Sequence, residues 1–276
     1  MKHNKTLLAP ALAALALAAM LPLQAQAHRA WLLPSSTQLE GKEPWVTVDA
    51  ARSESLFELE VRPPELDGLV VTGPDGAEVK PENLLEGKLR NSFDLKLAKP
   101  GTYKISLAGT NAMASYKLNG ENKRWRGPEV DLEKALPAGA EDVRVMRVHS
   151  RLVTFVSAGK PNDTAYKPSD VGIEMVPLTP ATELFVGETS RMRFLINGKP
   201  AAKLDFSIIP GGVRYRGVLN EMRLTTDDKG EAEVTWPSAG MFWVTASYPP
   251  RAEGGPPAPM PERRLSYGAT LEVLPQ

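Results

Sequence analysis

Short runs in which apolar and polar residues alternate occupy most of the chain. Residues 45–50, 92–97 and 189–196 each place apolar side chains at every second position. A period of two is typical of a β-strand with one buried face. Clusters of glycine, proline, asparagine and aspartate separate the runs about every 8–12 residues, which is the rhythm of a β-sandwich. The pattern therefore predicts an all-β protein.

Three further features predict where strands turn or end. Asn197-Gly198 lies between two alternating runs and is a preferred pair for a two-residue hairpin. Residues 227–230 read Asp-Asp-Lys-Gly, and we expect them to close another hairpin. Residues 56–61 alternate as well, so we expect a strand there. The two prolines that follow would end it, because proline cannot donate to a sheet.

The strand series divides into two parts. Residues 110–142 interrupt the first part with a polar segment, and residues 128–136 within it favour one or two helical turns. A polar, turn-rich stretch at residues 160–170 separates the two series, and we place a domain boundary there. The prediction is two tandem immunoglobulin-like β-sandwich domains, residues 28–170 with an insertion at 110–142 and residues 171–276.

The first 27 residues have a different composition from the rest. Two lysines precede an alanine-rich apolar run at residues 7–23, which two prolines interrupt. Ala25 and Ala27 then supply the small residues that signal peptidase accepts. We expect residues 1–27 to be a cleaved signal peptide. The mature chain would be periplasmic, with no transmembrane span.

Composition excludes several classes of function. The 276 residues include no cysteine, so disulfides, thiolate metal sites and a cysteine nucleophile are excluded. The 33 Lys and Arg residues balance 33 Asp and Glu residues, so net charge gives no indication of nucleic-acid binding. The sequence also lacks a nucleophile elbow, a zinc-protease motif and a phosphate-binding glycine loop. We expect a protein that is not an enzyme.

Histidine supplies the candidate chemistry. A cut after Ala27 makes His28 the first residue, and its α-amine and ring Nδ1 can then chelate Cu(II) or Ni(II). His149 is the only other histidine after the leader and could add a third nitrogen. We predict His28 and His149 as metal ligands. Two simpler interpretations stay open: an arbitrary residue after the cut at His28, and an ordinary strand residue at His149.

Two triplets of arginine, aromatic and arginine offer another kind of site. Residues 124–126 read Arg-Trp-Arg, and residues 214–216 read Arg-Tyr-Arg. Each could hold a carboxylate or phosphate ligand while a guanidinium stacks on the ring. Ordinary loop and strand surface is the alternative interpretation of both. The methionines after the leader are scattered, and we expect most of them to fill the core.

Four stretches are similar to the DUF4198 group of exported bacterial proteins. They are HRAWLLPS at residues 28–35, RWRG at 124–127, SRLVTFV at 150–156 and LTTDDKG at 224–230. The resemblance covers nearly the whole mature chain. It implies β-sandwich domains, an envelope location and a role as a periplasmic component of cobalt or nickel uptake. One departure is that members often carry histidines where residues 57–63 of this chain carry none.

Three functions are consistent with these patterns. The first is a non-enzymatic periplasmic protein that binds Ni, Co or Cu and serves a membrane importer or an outer-membrane receptor. The second is an envelope scaffold or adhesion module with no small ligand. The third is a histidine-brace copper oxidase that uses His28 and His149, which requires the two side chains to lie close together.

Overall fold

The computed structural model describes residues 28–250 and 261–276. The predicted signal peptide, residues 1–27, lies outside the described residues. Apart from two single turns of α-helix and two of 3-10 helix, the regular elements in the described residues are β-strands, so the chain is all-β as predicted. In chain order the strands are β1 (Arg29–Pro34), β2 (Gln38–Leu39), β3 (Trp45–Ser53), β4 (Leu69–Thr72), β5 (Glu78–Val79), β6 (Glu82–Glu86), β7 (Arg90–Lys96), β8 (Gly101–Leu118), β9 (Glu121–Pro128), β10 (Glu141–Ala158), β11 (Ile173–Pro177), β12 (Thr189–Ile196), β13 (Lys199–Pro200), β14 (Asp205–Pro210), β15 (Met222–Thr225), β16 (Glu231–Thr235), β17 (Gly240–Tyr248) and β18 (Arg263–Val273).

The strands form three sheets. A central sheet of ten strands has the order β15-β14-β17-β18-β10-β8-β4-β5, with β2 beside β10 and β9 beside β8. The first outer sheet has the order β1-β3-β7-β6, and the second outer sheet has β11-β12-β13 with β16 beside β12. Neighbouring strands are antiparallel, except that β10 is parallel to both β18 and β2. The central sheet therefore contains strands from both halves of the chain.

Strand β10 contributes side chains to two cores, one on each face of the central sheet. Val156 and Ala158 belong to the core under the first outer sheet, whereas Val153 and Phe155 belong to the core under the second outer sheet. Successive side chains of a strand point to opposite faces, so β10 is apolar on both faces along this stretch. Its sequence is accordingly a nearly continuous apolar run, as expected for a strand that is covered on two sides.

A third cluster joins the first outer sheet to the second half of the chain. Trp31 packs there with Ile209 and Trp243, and the Trp243 indole Nε1 donates a hydrogen bond of 3.1 Å to the carbonyl of Ala30. Trp243 lies on the same face of the central sheet as Leu152, because a Cβ added at Gly268 would lie 3.1 Å from both side chains. The first outer sheet thus covers one face of the central sheet across both halves. The predicted domain boundary near residue 170 stays a prediction.

Two turn predictions have different outcomes. Asn197 and Gly198 have φ of 50° and 74°, and Ile196 pairs with Lys199, so this two-residue hairpin is confirmed. Residues 227–230 do form a turn, but the predicted hairpin is wrong, because β15 pairs with β14 and β16 pairs with β12 of another sheet. Local turn chemistry cannot distinguish a hairpin from a connection between sheets.

The strand predicted at residues 56–61 is also wrong. The segment is a loop in which Phe57 has a φ of 69° and the Glu58 N–H donates to the Ser55 carbonyl. Leu56 is buried in the Trp31 cluster, and Phe57 packs edge-on against Trp31 with ring centroids 5.5 Å apart. The alternation in the sequence therefore reflects a loop that anchors apolar side chains between the two halves.

The polar segment at 110–142 extends the central sheet. Strands β8 and β10 each run for 18 residues, and β9 continues the sheet beside β8. The predicted helical turn forms at Leu132–Ala135 and places Leu132 over Ala112 and Ala114. We call residues 110–148 the arm. It has a small apolar cluster of its own on one face.

Candidate functional site

His28 lies directly before β1 at the end of the first outer sheet. The pairing of Arg29 with Ser53 brings it beside Glu54, which follows β3. The His28 ring Nε2 lies 3.6 Å from Glu54 Oε1, and the two side chains are 46% and 51% exposed. This separation is within the range of an ion pair when the imidazole is protonated, and it is longer than an ordinary hydrogen bond.

A second carboxylate holds the loop that carries Glu54. Glu60 Oε2 accepts hydrogen bonds from the backbone N–H groups of Glu54, at 2.7 Å, and Ser55, at 3.3 Å. Burial acts to raise the pKa of Glu60, but these hydrogen bonds and the nearby His28 together lower it. Glu60 therefore stays ionised at neutral pH and adds negative charge near the imidazole.

The geometry leaves one nitrogen of His28 for a ligand. Glu54 contacts Nε2, whereas Nδ1 is the nitrogen that can close a chelate ring with the α-amine of the same residue. Metal-binding imidazoles commonly hold their other nitrogen against a carboxylate or a carbonyl, which fixes the ring. Across residues 28–250 and 261–276, no three His, Asp or Glu side chains converge on a possible metal position. A site at His28 would depend on the main-chain amine.

His149 occupies a different environment on β10. Its Nδ1 lies 3.2 Å from Thr110 Oγ1, and its buried Nε2 has no hydrogen-bond partner among the described residues. The ring packs against Gly172, where an added Cβ would lie 2.4 Å from Cδ2 of His149. Burial lowers the pKa of His149, and the charges of Arg151 and Arg263 lower it further. The ring is therefore neutral near pH 7.

The structure does not bring the two histidines together. His28 precedes β1, which packs on the face of the central sheet that carries Trp243. His149 pairs with Leu265, a member of the core under the second outer sheet, and so points to the opposite face. The central sheet lies between the two rings, and one copper ion bound by both would need them on the same side.

The first arginine triplet is divided between two faces of the arm. Trp125 pairs with Ala114 and joins the apolar cluster under the helical turn. Arg124 and Arg126 point to the other face because side chains alternate along β9. Strand alternation therefore does not favour the stacking of either guanidinium on Trp125, one of the two interpretations of this triplet. The period-two rule applied to residues 121–128 could have shown this from the sequence.

The second triplet holds a loop together. The Arg216 guanidinium donates hydrogen bonds to four backbone carbonyls, those of Pro210, Gly211, Val218 and Leu219. Arg214 pairs with Glu58 at 3.2 Å, and Tyr215 is 86% exposed. Because the Arg216 guanidinium donates to backbone carbonyls, few of its N–H groups remain to bind a carboxylate or phosphate ligand.

A buried ionic cluster beside His149 was not predicted. Glu174, 4% exposed, lies 3.7 Å from the Arg151 guanidinium and 3.6 Å from the Lys104 ammonium. Its other oxygen accepts a hydrogen bond from the Ser169 backbone N–H, and Arg151 donates to Ser106 at 3.1 Å. The sequence signal was one charged residue inside each of three strands. The cluster joins β8, β10 and β11 on the face of the central sheet that the second outer sheet covers.

These layers define an all-β protein with immunoglobulin-like sandwich packing, which confirms the predicted fold class. The chain matches the model of the domain of unknown function DUF4198 over residues 25–249, and it belongs to that family. The family description assigns no activity, so the uptake role implied by the resemblance stays a prediction. No curated protein matches the chain. Within the described residues, no helix is long and apolar enough to cross a membrane.

Several solved structures are distantly similar to the chain. The D0-D1 domain of intimin is 13% identical, with a TM-score of 0.23 and coverage of 89% of this chain and 99% of that one. A D1-D4 ectodomain fragment of ICAM-5 is 11% identical, with a TM-score of 0.22 and coverage of 90% and 51%. The FN1-FN3 domains of chicken CNTN1 are 8% identical, with a TM-score of 0.19 and coverage of 79% and 91%. Similarity at this level supports no inference about function.

Proposed function

We propose that the protein is a non-enzymatic module of the cell envelope that binds a transition metal at its mature N-terminus. In a chain that begins at His28, the α-amine and ring Nδ1 would chelate Cu(II) or Ni(II), with Co(II) as the third candidate. The observation that carries the proposal is the contact between Nε2 and Glu54. That contact places a carboxylate beside Nε2 and leaves Nδ1 for the ion.

The charges around His28 support the same proposal. Glu54 and Glu60 are both acidic, and Glu60 acts electrostatically on the imidazole. The neighbouring Arg29 directs its guanidinium at the Glu54 backbone carbonyl, at 2.8 Å. A divalent cation at His28 would meet these two carboxylates, which favour its binding electrostatically, and the positive charge of Arg29, which opposes it.

The proposed location is the periplasm, on the basis of the leader pattern at residues 1–27 and the resemblance to exported proteins. The proposed partner is a membrane metal importer or an outer-membrane receptor that takes the ion from the exposed terminus. An exposed end of a sheet suits such a transfer, because a partner can reach the ion without opening the core.

An envelope scaffold or adhesion module without a small ligand is the second candidate. The observation that favours it is that no group of three or more His, Asp or Glu side chains in the described part of the chain could hold a metal ion. The two candidates differ in metal content. Elemental analysis of protein purified from the periplasm should find close to one metal ion per chain for the first candidate and none for the second.

Calorimetric titration with Cu(II) and Ni(II) tests the terminal chelate. The protein beginning at His28 is compared with a protein that keeps Ala27 in front of it. The extra residue moves the α-amine away from the ring and leaves the contact with Glu54 in place. We expect one ion per chain in the first protein and at least about tenfold weaker binding in the second. Equal metal affinities of the two proteins would rule out chelation by the α-amine of His28.

Two variants separate the role of each side chain. Glu54→Gln keeps the size of the side chain but removes its charge, and we expect metal affinity to fall about 10–100-fold. His149→Ala tests the second predicted ligand, for which we expect no change. If His149→Ala weakens binding as much as His28→Ala does, both rings bind the metal and the assignment to His28 alone is wrong.

A further inference from the structure

The arm has two unlike faces. One face carries Trp125, Ala112 and Ala114 and is covered by the helical turn Leu132–Ala135. The opposite face has no such cover in the described structure. Strand alternation places arginines on it, so the arm is apolar on its covered face and cationic on its open face.

The register brings three arginines close together on the open face. Arg124 of β9 and Arg144 of β10 both pair with Ser115, from its two sides. Arg126 lies in the next row, opposite Met113. Alternate residues of a strand are about 6.8 Å apart and neighbouring strands about 4.8 Å apart, so the three Cα atoms lie within roughly 12 Å.

A fourth arginine stands at the base of this face. Arg52 is the next inward position of β3 after the buried Val48 and Ala50. Burial lowers the pKa of Arg52, and the positive charge of Arg126 lowers it further, so the two guanidinium groups repel each other. The C-terminal end of β3, an inner strand of the first outer sheet, therefore adds positive charge to the face.

Acidic side chains neutralise this face only in part. Asp142 pairs with Lys117, one row beyond Ser115; Lys117 lowers the pKa of Asp142, and the charge of Arg144 lowers it further. The other ion pairs of the arm are Glu121 with Lys123 and Glu129 with Arg147. Among the described residues, Arg124, Arg126 and Arg144 form no ion pair, and all three are exposed.

Strand β9 is also an edge of the central sheet. It pairs with β8, and the described residues supply no strand on its other side. The outward N–H and C=O groups of such an edge are a template for a further strand. Residues 121–128 thus combine a free backbone edge with a row of arginines at the two-residue period of a strand.

We propose that β9 docks an extended acidic segment of another protein, which adds to the arm as a further strand. In such a strand, alternate carboxylates would lie directly opposite Arg124 and Arg126, at the spacing of cross-strand pairs. The intervening side chains would lie on the Trp125 face and would suit apolar residues. Arginine also fits carboxylates in a bidentate way that lysine does not. The proposal shares no residue with the metal site.

A labelled decapeptide of alternating glutamate and valine tests the proposal by fluorescence anisotropy against the full chain. The variants are Arg124→Glu and Arg126→Glu, and the matched control is Lys123→Glu, which makes the same charge change on the other face of β9. A second probe is the same peptide N-methylated at alternate residues, which keeps its charge but cannot complete the backbone ladder.

We expect each arginine variant to weaken binding at least about tenfold and the lysine control less than about twofold. The N-methylated peptide should also bind at least about tenfold more weakly than the parent. Equal binding of the parent and the N-methylated peptide would overturn strand addition. Unchanged binding by both arginine variants would overturn the role of Arg124 and Arg126 in holding the carboxylates. Vesicles of anionic lipid that bind through these arginines, with no peptide binding, would overturn the acidic segment as the occupant.

Discussion

The two histidines that sequence reasoning joined in one site lie in opposite kinds of environment. His28 is half-exposed at the end of a sheet, with a carboxylate on Nε2 and acidic residues nearby. His149 is partly buried against Gly172 on the central sheet, with arginines nearby and a buried Nε2 that has no hydrogen-bond partner among the described residues. The two imidazoles therefore differ in the charge and the solvent access of their surroundings, which the residue type alone does not reveal.

The largest effect on stability is expected in the environment of His149. Glu174→Gln leaves the buried Arg151 and Lys104 without their carboxylate, and we expect a loss of about 3–5 kcal/mol in the free energy of unfolding. Glu54→Gln is the matched change at the exposed His28 and should alter stability by less than about 0.5 kcal/mol. Urea denaturation at pH 7 measures both. Equal urea midpoints for the Glu174→Gln and Glu54→Gln variants would show that the two environments do not differ in their contribution to stability.

The next effect concerns the contact between Gly172 and the His149 ring. Gly172→Ala adds a Cβ that would lie 2.4 Å from the ring, at a φ of 78° that disfavours alanine. Gly120→Ala has the same backbone strain, at a φ of 81°, with nothing within 4 Å of the new Cβ. We expect the Gly172 variant to lose about 1–3 kcal/mol more than the Gly120 variant. Similar losses in thermal or urea unfolding would show that the ring moves freely.

The smallest effect is a dependence of stability on pH. The folded pKa of His149 is lowered, so the unfolded chain binds more protons than the folded chain as pH falls through the unfolded value of about 6.5. His149 therefore contributes to a loss of stability on acidification, and its contribution is absent above that pH. His149→Gln should lose less stability than the wild type between pH 7.5 and 5. A steeper loss in the variant would contradict this sign.

Sequence reasoning identified the fold class because alternation and turn residues are local. The hairpin at Asn197-Gly198 forms as predicted, whereas the turn at residues 227–230 connects two sheets. Which strands pair is a long-range property that turn chemistry does not determine. The sequence of β10 is apolar on both faces, which predicts a strand covered on both sides. It does not predict which sheets cover it, so the shared central sheet could not be derived.

The candidate site was predictable only in part. His28 follows from the leader pattern, but its contact with Glu54 depends on the pairing of β1 with β3. The opposite orientation of His149 depends on which face of the central sheet each outer sheet covers. By contrast, the separation of Trp125 from its two arginines follows from strand alternation alone and could have been stated in advance.

Pulsed electron paramagnetic resonance of the Cu(II)-loaded protein beginning at His28 shows which histidine binds the metal, because it detects the remote nitrogen of each coordinated imidazole. We expect one coordinated imidazole, absent in His28→Ala and unchanged in His149→Ala. Two coordinated imidazoles in the wild type, or one that persists in His28→Ala, would contradict the assignment of the metal to the terminal histidine.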